Sequence, residues 1–405
     1  MPDAVIVATA RSPIGRAFKG SLTDLRADDL TTTIIQAALD KVPELDPGGI
    51  DDLILGCGLP GGEQGNNLGR VVAVQLGQDR LPGTTVTRYC ASSLQSTRMA
   101  MHAIRAGEGD AFISAGVEMV SRYAKGTSDS LPDTRNPRFD AAHQRSQDRS
   151  QGSGPWHDPR DDGQLPDVYL TMGETAENLA QIKGVSRQEM DDFALESQRR
   201  YAQAAVDGFW ATDITPVTRP DGSVIATDDS PRPGTTADGL AALAPVFRPD
   251  GRVTAGNACP LNDGAAAVIV MSDRRAAELG LTPLARIVAT GVSGLSPEIM
   301  GLGPVQATRN ALKYAGMSID DVDLVEINEA FAAQVIPSYQ ELGIDPDRLN
   351  VNGGAIALGH PFGMTGARIT STLINSLRRR DQQTGLETMC VGGGMGMAMI
   401  IERLS

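Results

Sequence analysis

Apolar and polar positions fall into two stretches of alternating short strands and longer helices, separated by a polar middle. The unbroken apolar run at residues 4–10 (AVIVATA) predicts a buried strand. Residues 25–39 have helical spacing, with Asp24 as a candidate cap. Residues 52–56 predict a strand, 65–76 a helix, and 84–87 a strand that runs into Cys90. A long helix at 93–106 and a strand at 111–116 follow. The last stretch repeats the order: strand 285–289, helix 308–315, strand 323–327, helix 329–340, strand 349–352, helix 366–378, and strands 387–391 and 396–401. The segment AALDKVPELDPGGIDDLILG pairs with NALKYAGMSIDDVDLVEI, and TVTRYCASSLQSTRMAMHAI with NVNGGAIALGHPFGMTGARI. This reads as an internal duplication. Strands alternating with helices predict an α/β fold with parallel sheets covered on both faces.

The middle is different. Residues 121–165 carry seven Lys/Arg and seven Asp/Glu with little apolar content, so the stretch is neutral inside an acidic chain. It reads either as disordered or as a lid inserted in the first half. Beyond it, Ser186 and Glu189 have capping-box spacing and open a periodic helix to about Ala205. These breaks divide the chain into a first half (1–120 plus 250–275), an inserted loop or lid (121–249) and a second half (276–405).

Composition narrows the function. At 405 residues and 41% apolar content the chain can bury a large core in two or three domains. A net charge of −14 argues against nucleic acid and anionic membranes, and an anionic substrate would need a local cationic patch. No apolar run reaches membrane-spanning length. The chain lacks a basic, apolar leader and does not end in a peroxisomal tripeptide. A cytoplasmic location with no membrane span is expected. The four cysteines, Cys57, Cys90, Cys259 and Cys390, are far apart and lack metal-binding spacing. Neither a disulfide framework nor a metal site is expected, and the compartment is a reducing one.

Four places carry candidate chemistry. Cys90 sits where a strand ends and a long helix begins, so the helix N-terminus is expected to lower its pKa and to offer N–H groups to an oxyanion. A buried structural cysteine is the alternative. His360, alone among His102, His143, His157 and His360, lies between glycines in GGAIALGHPFG and suits a base or a hydrogen-bond donor to a carbonyl. That string lacks the Lys-Ser/Thr ending of a phosphate-binding loop. Cys390 precedes three glycines at a strand end, with an incidental cysteine in a tight turn as the alternative. Asn328 follows a strand, as an amide that fixes a water or carbonyl, or as a helix N-cap. Open parallel sheets place their sites at the carboxyl ends of strands, and all four residues are expected there.

From VIVATARSPIG (5–15) through MGETAEN (172–178), VTAGNACPLNDGAAA (253–267), NEAF and NVNGGAIALGHPFG to CVGGGMG (390–396), the chain resembles the thiolase family. The resemblance implies a layered αβαβα fold built from two duplicated βαβ-rich halves with an inserted lid. It implies an acyl-CoA C-acyltransferase in which Cys90 becomes an acyl-enzyme, His360 activates it, and Asn328 holds a water that completes an oxyanion hole. Cys390 would be the acid/base at the α-carbon, and the N–H groups of Cys90 and Gly392 a second oxyanion hole. Met172 and Phe331 would line the acyl pocket, and Arg232 would stack on the CoA adenine. Coenzyme A would be a substrate, with no tightly bound cofactor. A homodimer or homotetramer and a β-oxidation partner enzyme are implied. The chain departs from the family at Cys259-Pro260, where Ser-Gly is usual, at Ser93 near the pocket floor, at Thr171, and at Phe362 and Met364. These departures point to a longer or bulkier 3-oxoacyl chain. A decarboxylating condensing enzyme would need a second histidine in place of Cys390. A non-catalytic CoA-ester-binding or scaffold subunit of a fatty-acid oxidation complex is the alternative from another class.

Overall fold

The computed structural model describes residues 2–128, 131, 133–152 and 154–405. Nine main strands are β1 (Ala4–Arg11), β2 (Asp52–Cys57), β3 (Gly83–Val86), β4 (Ala111–Met119), β5 (Asn262–Ser272), β6 (Ala285–Gly294), β7 (Leu324–Ile327), β8 (Thr384–Val391) and β9 (Met395–Arg403). Hydrogen bonding links them in the order β7-β8-β9-β6-β1-β5-β4-β2-β3. From its edge to the middle the first half runs β3, β2, β4, β5, β1; the second runs β7, β8, β9, β6, the same order without a counterpart of β3, and the halves meet through Val5–Arg286 and Ile6–Ala285. The shared order is the duplication in three dimensions.

The sheets are mixed rather than parallel. β2 runs parallel to β3 and β4, and β7 to β8. β5 is antiparallel to β4 and β1, and β9 to β8 and β6. The cause lies in the connections: a three-residue glycine turn between β8 and β9 allows only a hairpin. The strand β5 (NDGAAAVIVMS), buried along its whole length, has no alternation to announce it.

Five layers result. The helices Ser92–Ala106 and Thr365–Arg380 lie between the sheets in one apolar core that includes Leu94, Met101, Ile369 and Met389. Ala27–Leu39 and Leu68–Gln75 cover the outer face of the first half, over Leu53, Ile113 and Ile269. Gly303–Ala315 and Ala332–Leu342 cover the second, over Val325, Leu386 and Ile400. The central helix of the second half is buried from Thr365 to Leu377 except at Asn375, and Thr370 and Ser376 return their hydroxyls to the carbonyls of Gly366 and Thr372.

Local corrections have local causes. Asp24 does not cap the first helix; it pairs with Arg219 at 2.7 Å, and Arg26 holds the cap position. The expected helix 329–340 begins at Ala332, because Glu329 is drawn into a buried hydrogen-bond cluster and Phe331 is extended. The expected strand 349–352 is a single bridge, Leu349 to Val325. The Ser186–Glu189 capping box forms as read, and its helix reaches Val206.

The polar insert is folded where it is described. It carries the helix Asp140–Ser150 and is anchored on Glu298, which is buried. Glu298 accepts from Trp156 Nε1 at 2.6 Å and from the Asp167 N–H at 2.8 Å. A second anchor is Arg11, fully buried at the end of β1. Its Nε donates to Asp213 at 2.8 Å and its Nη1 to Asp228 at 2.6 Å. Asp213 also accepts from Ser371, Thr372 and Asn375 of the second half's central helix. Removing one side of such a buried network costs about 3–5 kcal/mol because a charge is left unpaired. Arg11→Leu is expected to lower the unfolding free energy measured in urea by that amount, whereas Arg274→Ala, at an exposed pair with Asp110, leaves it in place. Equal stabilities for wild type and Arg11→Leu would remove Arg11 from the role of anchor.

Candidate active site

A cleft of about 1040 Å³ opens beside Cys90, walled by Leu59, Phe362, Met172 and Tyr169, with Gly392 at its base. Tyr169 comes from the insert, and Arg135 lies over its ring at 5.4 Å.

Cys90 is delivered by a strained turn. Tyr89 has φ +42, and the turn is pinned by the Arg88 N–H on Ser92 Oγ at 2.9 Å and by the Ser92 hydroxyl on the Tyr89 carbonyl at 2.6 Å. Cys90 is buried where it meets the cleft. Burial pushes the thiol up to about 12, and the N–H groups of Gly392 and of Cys90 itself pull the other way. The expected lowering by the helix terminus is thus outweighed by desolvation. The resting group is a thiol.

His360 follows the short helix Ala355–Leu358. Its ring is buried, and its backbone N–H is fixed on Asn262 Oδ1 at 3.0 Å. Nδ1 lies 2.6 Å from Thr365 Oγ1, and Nε2 lies 3.2 Å from Asn328 Nδ2. Thr365 spends its only hydrogen on the Pro361 carbonyl at 2.7 Å. It must therefore accept from Nδ1–H, which leaves Nε2 as an acceptor facing the Asn328 amide. Burial, with Arg368 behind it, drives the imidazolium pKa down to about 3, so the ring is neutral.

Asn328 sits one residue past β7, held by its N–H on the Thr388 carbonyl at 3.0 Å. It is not a helix cap. Its Oδ1 is buried without a hydrogen-bond partner among the described residues. Glu329 next to it accepts from Ser197 Oγ at 2.7 Å, Asn350 Nδ2 at 2.8 Å and the Ile356 N–H at 3.1 Å, which locks the turn that carries Asn328.

Cys390 is the penultimate residue of β8 and fully buried. Burial pushes its thiol well up, and Cys90 and Cys259 lie close enough to push it further. Cys259 donates its N–H to the Ala330 carbonyl at 3.0 Å, beside the bridge between Ala258 and Phe331. Three of the four cysteines therefore converge. Gly392 follows in the turn, and a β-carbon there would meet Tyr89 at 3.5 Å and Met172 Sδ at 3.6 Å. Phe331 packs edge-on to Phe247 at 6.4 Å, in the same cluster as Cys390. Arg232 is exposed, tied by its N–H to Gln198 at 2.9 Å, and does not line the cleft.

Three expected pocket residues, Phe331, Ser93 and Met364, lie outside the cleft lining. Ser93 is fully buried between the central helices, where its hydroxyl accepts from the Ala367 N–H at 2.9 Å. Met364 is fully buried near Gly264 and does not line the cleft. Thr365, Asn262 and Glu329 were missed, and only their closeness to the glycine-rich motifs could have flagged them. No group of three metal-ligating side chains occurs among the described residues.

Cys90 lines the cleft, Cys390 lies close to Cys90, and Phe362 on the cleft wall packs against His360, which pairs with Asn328; two thiols, a neutral imidazole and an amide so arranged suit acyl transfer. The comparisons make this specific. Residues 4–274 match the thiolase N-terminal domain and residues 281–403 the thiolase C-terminal domain. A 3-ketoacyl-CoA thiolase of Bacillus subtilis is 41% identical over 99% of this chain and 100% of its own. A 3-oxoadipyl-CoA/3-oxo-5,6-dehydrosuberyl-CoA thiolase of Escherichia coli is 43% identical over 100% of both chains. The crystal structure of human mitochondrial 3-ketoacyl-CoA thiolase in complex with CoA matches with a TM-score of 0.86 and 38% identity, covering 100% of this chain and 98% of that one. The chain belongs to the thiolase family, whose activity is CoA-dependent acyl transfer.

The ring assignment is measurable. Nitrogen-15 NMR of the resting protein is expected to show His360 neutral and protonated on Nδ1 at pH 5 to 8, since a pKa near 3 leaves the base form intact above it. A doubly protonated ring at pH 5 would contradict it.

Proposed function

We propose that the protein cleaves a 3-oxoacyl-CoA with free coenzyme A to acetyl-CoA and a shortened acyl-CoA, or runs the reverse Claisen condensation. What supports this most is the neutral His360–Asn328 pair, whose imidazole packs at 5.2 Å on the cleft-wall residue Phe362, together with Cys90 and Gly392 in the cleft lining and Cys390 close to Cys90. In the cleavage direction the Cys90 proton passes to His360 Nε2 as sulfur attacks the 3-oxo carbon. The imidazolium and a water on Asn328 hold the resulting oxyanion. The C2–C3 bond then breaks, Cys390 gives its proton to C2, and acetyl-CoA leaves. The new CoA gives its thiol proton to the Cys390 thiolate and attacks the acyl-enzyme, and the collapsing intermediate expels the Cys90 thiolate, which takes its proton back from the His360 imidazolium. The N–H groups of Cys90 and Gly392 serve the second thioester oxygen.

A buried, uncharged floor suits this sequence. Each anion arises only where N–H donors or a new imidazolium meet it. Met172 and Phe362 on the cleft wall favour a longer or bulkier acyl chain. Phe331 and Cys259 pack behind the wall. Arg232 has an exposed side chain free to meet the adenine end. The halves 1–120 plus 250–275 and 276–405, with 121–249 inserted, are the proposed domains. A cytoplasmic homodimer or homotetramer serving β-oxidation completes the reading; no helix among the described residues is long and apolar enough to cross a membrane. No observation favours the scaffold alternative.

Incubation with a 3-oxoacyl-CoA is expected to add one acyl group to the Cys90 peptide, and Cys90→Ala to lose thiolysis by about a thousandfold or more. Cys390→Ala should still acquire the acyl group from a simple acyl-CoA while failing to turn over. Label on Cys57 or Cys259 with Cys90 unmodified would sink the assignment.

A further inference from the structure

Glu118 is a buried carboxylate at the end of β4 that the chemistry above leaves unused. It has no ion pair among the described residues, yet six donors converge on it. Oε2 accepts from the Gly58 N–H at 2.7 Å and the Gly363 N–H at 2.9 Å. Oε1 accepts from the Tyr123 hydroxyl at 3.0 Å, the Leu59 N–H at 3.3 Å and Gln64 Nε2 at 3.3 Å, with Cys57 Sγ at 3.8 Å. Burial pushes its pKa up, and the N–H groups of Gly363, Gly58 and Leu59 oppose that. Such a set fits an anion that has backbone dipoles in place of a cation.

The held segments matter more than the charge. Leu59 and Phe362 both wall the cleft beside Cys90. Gly363 closes the loop that begins at His360. The Gly58 carbonyl accepts from Thr87 Oγ1 at 2.8 Å, which ties the same point to the turn carrying Cys90. There is little room for adjustment. A β-carbon on Gly58 would lie 2.5 Å from Glu118 Oε2 and 2.8 Å from Phe362, and one on Gly363 would strike the Val117 carbonyl. Two distant backbone segments, at Gly58–Leu59 and at Gly363, thus take their relative position from one carboxylate, and the Thr87 turn is tied to the first of them through the Gly58 carbonyl.

We propose that Glu118 is a positioning residue of the acyl-transfer reaction, fixing the His360 loop and the Leu59 and Phe362 walls against Cys90. The proposal rests on the roles given above to Cys90 and His360. Glu118 touches no reacting atom, so its loss slows acylation without removing it. A displacement near 1 Å at such a distance costs up to about a hundredfold in rate.

The test is rapid-quench mass spectrometry of the full-length protein with 3-oxohexanoyl-CoA, reading both the rate and the final amount of acyl on Cys90. Glu118→Gln keeps the volume but turns one acceptor oxygen into a donor that faces N–H groups. It is expected to reach about one acyl group per chain at a rate lower by at least about tenfold, with the KM for CoA within about twofold of wild type. An unchanged rate overturns the proposal. So does a reduced final amount acylated at the wild-type rate, which is what a purely structural carboxylate would give. Should Glu118→Gln fail to fold, Tyr123→Phe removes one donor from the same hub; slower acylation by a few fold upholds the proposal and wild-type kinetics overturn it. A wild type that never acylates Cys90 removes the reaction itself, whereas normal acylation by wild type and Glu118→Gln alike removes only this inference.

Discussion

The site depends on how closely two helices approach. Ser92–Ala106 and Thr365–Arg380 come from different halves and cross in the layer between the sheets. A β-carbon on Gly366 would strike the Leu94 backbone, and the Ser93 hydroxyl takes the Ala367 N–H at 2.9 Å. Both helices begin at this contact. Whatever precedes them is brought together: Cys90 two residues before one, His360 five before the other. The departure at Ser93, which the sequence places at the pocket floor, belongs instead to this joint. Its hydroxyl supplies an acceptor to the start of the partner helix, whose N–H groups lack a side-chain cap.

A second constraint is the lack of charge on the floor. Thiols at Cys90 and Cys390 are pushed up, and His360 is pushed down. All three shifts have burial as their main cause, and all three keep the resting site neutral. A neutral site can be buried without large desolvation cost, and burial is what makes the surrounding N–H groups effective once charge appears. The same logic explains why Thr365 matters. By accepting from Nδ1–H it fixes which nitrogen is basic, a choice that the residue His360 alone does not make.

Much of the fold was legible because its signals are local. Apolar runs marked β1, β2 and β8, and Ser186 with Glu189 marked a helix start to the residue. The candidate residues stood out because rare side chains lay in glycine-rich breaks. What stayed hidden depends on distant partners. Asn262 fixes His360 across 98 residues, Glu118 reaches Gly363 across 245, and Arg11 reaches Asp213 across 202. Sequence spacing carries no trace of such pairs. The antiparallel return of β5 to β1 is hidden for the same reason, since it comes only after the whole insert. The pKa of Cys90 was misread because the helix terminus is visible in sequence and the depth of burial is not.

The halves part company where the chemistry requires it. In the first half a true third strand, β3, pairs with β2 over four residues before the chain turns to Cys90. In the second half the matching strand shrinks to the bridge at Leu349. Asn350 takes φ +45 and ends it, but its side-chain amide then imitates the missing strand: Oδ1 accepts the Ile327 N–H at 2.9 Å and Nδ2 donates to the Ile327 carbonyl at 2.9 Å. The edge of β7 is satisfied without further backbone pairing. The chain is thereby released at residue 351 to make two left-handed glycine turns, Gly353 and Gly359, around the short helix Ala355–Leu358, and to arrive at His360 from the side. A full-length third strand would hold residues 350–352 at the sheet edge and leave fewer residues for that route. The alternating stretch Leu349–Asn352 therefore reads as a strand in the sequence, and it is cut short in the fold where the Asn350 side chain replaces the backbone at the edge of β7.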